Sequence, residues 1–375
     1  MRKGSQLVVD LNILGENHAK IKSVAPNAET IFMVKADAYG HGLVPISRFS
    51  HRELGINHFG CASIGEAMSL RSQLKHDEFE IYVFSDTLLD LNECSQYYVN
   101  NRVIPVVKTF DDLKSFLENK DYKHFPLSLK FNTGMNRLGI EFEQREQAID
   151  LIKQAGRSEI HHLMTHLSCA SQSMKKNKKN IRALEEFEQL KKDFRDAGLS
   201  INHTSIANSG AIEQKVGLEE THIRPGLMMY GPSSLNRGLE DLSFYDGKMI
   251  SSLETYVMHT FEVDRGQPIG YGASPVPTEG IVAIIALGYG DGLSTRMRGA
   301  KLNFGDVSGV ASGRINMDMT AVLFPLGTKI KVGDKFTVWD EDTKFFSSLC
   351  EHAQTIPYEI FCQITPRVPR IYSLK

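Results

Sequence analysis

Short apolar runs alternate with amphipathic stretches through the first two-thirds of the chain. Thr30–Val34, His58–Ala62, Glu80–Phe84, Val103–Val107, Leu127–Phe131, Glu159–Thr165 and Ser200–Ile206 read as strands, several of them apolar along most of their length. Between them, Ile64–Leu74, Phe110–Leu117, Glu143–Gln154 and Ile181–Ala197 repeat apolar positions at helical spacing. Strand then helix, about eight times over roughly 230 residues, predicts a parallel sheet and fits a (β/α)8 barrel, with a doubly wound open sheet as the alternative. From about Ser243 the helical period fades. Gly and Pro then punctuate short β-rich runs at Leu253–Phe261, Gly280–Leu287, Ala321–Phe324 and Lys335–Val338. The pattern divides the chain into a barrel over residues 11–242 and a mostly-β C-terminal domain over residues 243–375. The apolar Leu7-Val8-Val9 within residues 1–10 is expected to join the second domain.

Composition narrows the partners. At 375 residues, two domains are the default expectation, and 41% hydrophobic with 23% charged residues is ordinary for a globular protein. A net charge of −2 gives no reason to expect nucleic acid or an anionic membrane surface. The five cysteines, Cys61, Cys94, Cys169, Cys350 and Cys362, show no CxxC spacing, which predicts reduced thiols in a cytoplasmic protein. No signal peptide or membrane span is expected. The run Lys175-Lys176-Asn177-Lys178-Lys179 reads as a solvated helix start.

In a barrel of this kind the reactive groups stand at the C-terminal ends of the strands. Lys35 ends the first, where Ile31-Phe32-Met33-Val34 gives way to a loose, Gly-rich Lys35-Ala36-Asp37-Ala38-Tyr39-Gly40-His41-Gly42. A lysine placed there can be desolvated, which suits it to Schiff-base chemistry and proton transfer. Lys130 lies in the fifth strand and His166 ends the sixth. Asn208-Ser209-Gly210 follows the seventh, and Arg224-Pro225-Gly226 falls at the eighth position. A single lysine at a strand end is usually a solvated charge. Lys, Arg, His and Ser at several strand ends together describe an anionic ligand, most plausibly a phosphorylated cofactor, with Ser209 and the backbone N–H groups of Gly226 and Leu227 as phosphate donors. His162 and His166 would need a helix to ligate one metal ion, and their segment reads as a strand end, so no metal is expected. Gly288-Tyr289-Gly290-Asp291-Gly292 lacks the spacing and the βαβ context of a dinucleotide loop.

The segment Val34-Lys35-Ala36-Asp37-Ala38-Tyr39-Gly40-His41-Gly42 closely resembles the pyridoxal-phosphate lysine motif of bacterial alanine racemases. The resemblance continues in order through Asn132-Thr133-Gly134-Met135-Asn136-Arg137-Leu138-Gly139, Ala207-Asn208-Ser209, Arg224-Pro225-Gly226, Tyr230-Gly231 and Gly270-Tyr271-Gly272. It runs on through Gly288–Gly292, Met317-Asp318 and Tyr358-Glu359 to Arg367-Val368-Pro369-Arg370, and so covers nearly the whole chain.

That resemblance implies a homodimer with shared active sites, interconverting L- and D-alanine by two-base proton transfer on pyridoxal 5'-phosphate and supplying D-alanine for peptidoglycan. By position it implies that Lys35 holds the cofactor covalently and is one acid/base, with Tyr271 of the other subunit as the second. Tyr39, Ser209, Tyr358, Gly226 and Leu227 would bind the phosphate, and Arg224, backed by His166, would face the pyridine nitrogen. Arg137 would contact the substrate carboxylate, joined by Met317 and Asp318 of the other subunit. Lys130 matches a position often carbamylated in the family. Four residues depart from the family pattern: Asp37 for Asn, Asn132 for Asp, Asn136 for Gly and Asn316 for Cys. The alternatives are a racemase of serine or of broader specificity, a non-catalytic pyridoxal-phosphate carrier, which would lack the β domain, and a decarboxylase of related architecture.

Overall fold

The computed structural model describes residues 4–374 apart from 76, 90 and 91. Eight strands form the barrel, in order Glu29–Met33, His58–Ser63, Glu80–Asp86, Val103–Val107, Ser128–Asn132, Glu159–Met164, Ser200–Ser205 and His222–Ile223, each parallel to its neighbour. The eighth is too short to show a period in sequence. It pairs with the first through His222 opposite Glu29. Toward the seventh, Thr204 N–H donates to Thr221 Oγ1 (2.7 Å), Thr221 Oγ1 donates to Thr204 O (3.1 Å), and Asn208 bridges Arg224. This seam nearly closes the barrel.

Helices wrap the outside, entered through side-chain caps: Ser63 for Ile64–Gln73, Thr109 for Phe110–Glu118 and Asn177 for Lys178–Asp196. The last buries Ala183, Phe187, Leu190 and Phe194 along one face, the helical spacing that marks it in sequence.

The second sheet runs in the order Lys301–Phe304, Val307–Ser312, Thr320–Phe324, Gly280–Ile285, Ser251–Val263, Gln6–Asp10, Arg370–Ser373, with Lys335–Trp339 also paired to Ser251–Val263. Gln6–Asp10 lies antiparallel to Ser251–Val263 and parallel to Arg370–Ser373, so segments from both ends of the chain meet in one sheet. Helix Thr343–His352 reaches this sheet through Phe346, its ring 5.3 Å from that of Trp339, and helix Pro357–Gln363 packs on Thr343–His352 and on the segment Lys35–Tyr39. Both lie in a region whose sequence reads as mostly β. Among the described residues no helix is long and apolar enough to cross a membrane.

The N-terminal end of the barrel is filled by imidazoles. Ring centroids lie 4.9 Å apart for His58 and His222, 4.7 Å for His203 and His222, 5.2 Å for His162 and His222, and 5.0 Å for His161 and His203. Glu80 sits beside them, 3.3 Å from His58 Nδ1 and accepting from the Tyr82 hydroxyl at 3.1 Å. Burial followed by neighbouring cations and imidazoles pushes His222 down to about 3 and holds His162 well below the usual histidine range. Burial opposes ionisation of Glu80, but hydrogen bonds from His161 and His58 outweigh it and keep the carboxyl well below its ordinary value.

Candidate active site

At the opposite end the strand termini surround a cavity of about 530 Å³. Lys35, Tyr39, Lys130, Arg137, His166, Ser209, Arg224, Gly226, Leu227 and Tyr358 all line it, so the barrel brings these ten expected residues together. Among the described residues no Asp or Glu lines it. Four cationic side chains facing a common space without a carboxylate leave a positive potential that an anionic ligand satisfies.

The segment after Lys35 is not the loose loop its glycines suggest. Ala36, Asp37, Ala38 and Tyr39 all have φ between 53° and 54°, a left-handed turn of non-glycine residues. Each such residue costs about 1–2 kcal/mol, so the turn needs outside support. Glu66 accepts from Ala36 N–H (2.7 Å) while its other oxygen accepts from Ala62 N–H (2.7 Å). Asp37 accepts from Leu43 N–H (2.7 Å), a bond the amide oxygen of an asparagine would accept equally, so nothing in the structure explains the departure at this position. Arg370 Nε donates to Gly40 O (2.9 Å) and Tyr372 OH to His41 O (2.9 Å), from the end of the chain. A Cβ at Gly40 would lie 2.2 Å from Phe361 O, so the approach of helix Pro357–Gln363 requires glycine there. The turn carries Tyr39 into the cavity wall, its ring 4.7 Å from Tyr230 and 5.7 Å from Tyr358.

Ser209 Oγ accepts from the N–H groups of Gly226 (3.0 Å) and Met228 (3.5 Å), which leaves its own proton free to be donated. A Cβ on Gly226 would stand 2.4 Å from the Tyr39 hydroxyl, so only glycine permits this close cradle. Arg224 is buried and donates to the Ser205 hydroxyl, Thr165 O and Ile206 O rather than to a carboxylate. Burial brings its guanidinium down to about 10. Burial and then Arg137 lower the Lys35 amine, against a smaller opposing pull from Glu66. Lys130 falls to about 8 through burial, with Arg137, Arg224, Lys35 and Lys108 adding to it. Burial, then Arg224 and Lys130, keeps His166 neutral. Tyr358 is pushed up to about 12 by burial.

Tyr271, Met317 and Asp318 lie elsewhere. Together with Tyr289 and Asn316 they line a separate open depression on the β-rich domain, where Tyr271 is 72% and Met317 53% exposed. Arg367 joins Asp318 (2.7 Å) to Asp291 (3.3 Å), and the N–H groups of Tyr289 and Gly290 donate to Asn316 O and Met317 O.

Sequence reasoning missed Glu66, although Ser63-x-x-Glu66 carries the spacing of a helix start. Ser63 Oγ does accept from Glu66 N–H (3.2 Å), but the carboxylate serves the lysine turn instead of closing the box.

Fold and site define a class: a (β/α)8-barrel protein with a lysine at the first strand end, a cation-lined mouth and an appended β domain. The family model for the alanine racemase N-terminal domain matches residues 9–234, and that for the alanine racemase C-terminal domain matches residues 250–372. The chain is 30% identical over 370 residues to an alanine racemase of Nitrosococcus oceani, covering 97% of this chain and 98% of the relative. It is 30% identical to one of Vibrio atlanticus, with 99% of each covered. Among solved structures, the biosynthetic alanine racemase of Pseudomonas aeruginosa superposes with a TM-score of 0.83 at 27% identity, covering 100% of both chains. An alanine racemase from Streptomyces coelicolor shares the fold with a TM-score of 0.85 at 24% identity, covering 99% of this chain and 98% of the other. The chain belongs to the alanine racemase family.

Proposed function

We propose that the protein is an alanine racemase that uses pyridoxal 5'-phosphate, acts in the cytoplasm as a homodimer and supplies D-alanine for peptidoglycan. The observation that carries this reading is the barrel mouth, with two desolvated lysines and two arginines around one cavity and no acidic residue among the described lining.

The residues fit the cofactor. The cradle of Tyr39, Ser209 and Gly226, with Leu227 and Tyr358 beside it, matches the needs of a phosphate group: the hydroxyls of Tyr39, Ser209 and Tyr358 and the Leu227 N–H can donate, and the Gly226 N–H, which here donates to Ser209 Oγ, lies close enough to join them. Arg224, fixed by Ser205 and two carbonyls, would lie toward the pyridine nitrogen with His166 alongside. When bound, pyridoxal phosphate withdraws electrons from the amino acid's Cα and makes its proton transferable. The chain's residues do the rest. Lys35 would hold the cofactor and move the proton on one face, its lowered amine pKa bringing it nearer the operating pH. Arg137 would bind the substrate carboxylate. The phenol of Tyr271 from a second copy would move the proton on the other face, beside Met317 and Asp318 of that copy. Their exposure away from the barrel mouth supports a site that one chain alone leaves incomplete. Lys130, set among cations and titrating near 8, is suited to carbamylation, which would turn a buried positive charge negative.

Purified protein incubated with L-alanine in heavy water tests this. Circular dichroism is expected to lose its handed signal while proton NMR loses the Cα resonance. If neither changes after cofactor is added, alanine is the wrong substrate.

A further inference from the structure

The loop that carries Arg137 is clamped at its base by its own side chains. The fifth barrel strand ends at Asn132, and after residues 133–139 the chain returns to lay Ile140–Glu141 parallel beside it, with Phe131 opposite Ile140 and Asn132 opposite Glu141. That register brings the Glu141 carboxylate to the Asn132 amide. Asn132 Nδ2 donates to Glu141 Oε2 (2.8 Å) and to Asn136 Oδ1 (3.0 Å). Its Oδ1 accepts from the N–H groups of Gly134 (3.2 Å) and Asn136 (3.0 Å). One amide thus uses both of its protons and its oxygen twice. The opposite flip would turn the oxygen toward Glu141 and the NH2 toward two N–H donors, so the network fixes the orientation. Asn136, the residue before Arg137, stands at φ 53°, which asparagine tolerates better than most side chains. The loop is closed at its far end where Gly139 N–H donates to Lys108 O (2.8 Å). A Cβ at Gly139 would lie 2.5 Å from Asn132 N.

We propose that Asn132, acting through Asn136 and Glu141, is the positioning residue that sets where Arg137 meets the substrate carboxylate; this rests on the role of Arg137 proposed above. The amide at 132 and the carboxylate at 141 are a matched pair. An ionised aspartate at 132 has no proton to donate and sets a second negative charge against Glu141, which either splays the base of the loop or forces one carboxyl to take up a proton. The two departures from the family pattern in this loop, Asn132 and Asn136, are therefore one feature. Asn136 accepts from Asn132 here, and its exposed amide can turn to donate when the partner at 132 only accepts.

The test uses the cofactor-loaded dimer and reads Arg137 by inhibition with propionate, the substrate's carboxylate without its amine. Asn132→Asp is expected to raise the propionate Ki and the KM for alanine by roughly 10- to 100-fold, the scale of about a 1 Å misplacement, with a smaller change in kcat and unchanged cofactor absorbance. Adding Glu141→Gln, whose amide can donate to Asp at 132, is expected to bring Ki and KM back to within about threefold of the parent. A double variant no better than N132D, or an N132D protein with the parent's Ki, overturns the proposal. Arg137→Ala is the control for the reading beneath it. If R137A leaves the propionate Ki unchanged, Arg137 does not bind the carboxylate, and both fall together. Should N132D fail to fold, Glu141→Leu in the parent removes one acceptor and is expected to raise Ki about three- to tenfold; no change there also overturns the proposal.

Discussion

The two ends of the barrel are built from the same eight strands and treat charge in opposite ways. At the N-terminal end, five imidazoles and Glu80 pack within one network. Tyr82 donates to Glu80, His162 Nε2 pairs with Ser205 Oγ (2.8 Å) and His222 Nδ1 with Thr221 Oγ1 (2.8 Å). At the C-terminal end, Lys35, Lys130, Arg137 and Arg224 face a cavity whose described lining holds no counter-charge. The base sets its carboxylate among its own imidazoles and a phenol, although His162 Nδ1 and His222 Nε2 stay without a hydrogen-bond partner, whereas the mouth leaves its cations without a counter-charge until an anion binds. Stability and function are thus separated along the strand direction, in keeping with the general rule that sites are costly to the fold that carries them.

Removing the lysine sharpens that contrast most. Lys35→Ala is expected to lower kcat for alanine by roughly 10²- to 10⁴-fold, the usual worth of a positioned proton-transfer group, while the melting temperature of the ligand-free protein holds or rises. A stopped assay with chiral detection, beside a thermal melt, reads both.

The pH dependence of stability should separate the ends next. At the base, His162, His203 and His222 have folded pKa values below their ordinary 6.5, with His222 at about 3. The unfolded chain therefore binds more protons below about pH 6.5. Stability is full above that pH and falls as pH drops toward 3, by up to about 1.4 kcal/mol per pH unit for each of His162 and His222, and by less for the half-buried His203, which solvent screens. At the mouth, Lys130 at about 8 and the lowered Lys35 make the unfolded chain hold more protons between about pH 8 and 10.5, so the ligand-free protein gains stability as pH rises through that window. Denaturant midpoints across both ranges check the two slopes. A bound anion should flatten the alkaline one and leave the acid one alone.

Glu80→Ala comes third. It removes the acceptor for Tyr82 and the carboxylate beside His58, and is expected to cost about 1–3 kcal/mol in denaturant unfolding with the folded enzyme's kcat unchanged. A large fall in kcat would break the separation of the two ends. The smallest effect is at the cradle. Inorganic phosphate at about ten times its Kd should stabilise the ligand-free protein by about 1.4 kcal/mol. Ser209→Ala should remove most of that gain.

How much of this could be read from sequence follows from how far apart the cooperating residues lie. The barrel was legible because seven of its eight strands, Val103–Val107 among them, and helices such as Lys178–Asp196 declare themselves over a few consecutive residues, while His222–Ile223 is too short to do so. Helix Thr343–His352 had a readable start in Asp342, and Phe346, Leu349 and Cys350 buried at helical spacing, yet it lay among β-rich runs that set the expectation for the region. The cationic residues of the mouth could be collected because barrel topology sends every strand end to one place. What sequence hid was support across distance. Nothing near Ala36 says that Glu66 will take its N–H, that four L-residues will turn left-handed, or that Arg370 will reach back to Gly40. The pairing of Asn132 with Glu141 depends on a loop returning in parallel register, which no local pattern encodes.

The grip of Phe361, Arg370 and Tyr372 on the lysine turn has a consequence for the order of synthesis. A ribosome releases Lys35 early, with the strands and helices of the barrel following it, but Phe361, Arg370 and Tyr372 emerge long after it. A nascent barrel can therefore gather its sheet while the segment after its key lysine still lacks half of its supports. The earliest part of the site acquires its shape only once those residues have emerged, so a chain cut short before Phe361 would carry a barrel with an unformed mouth.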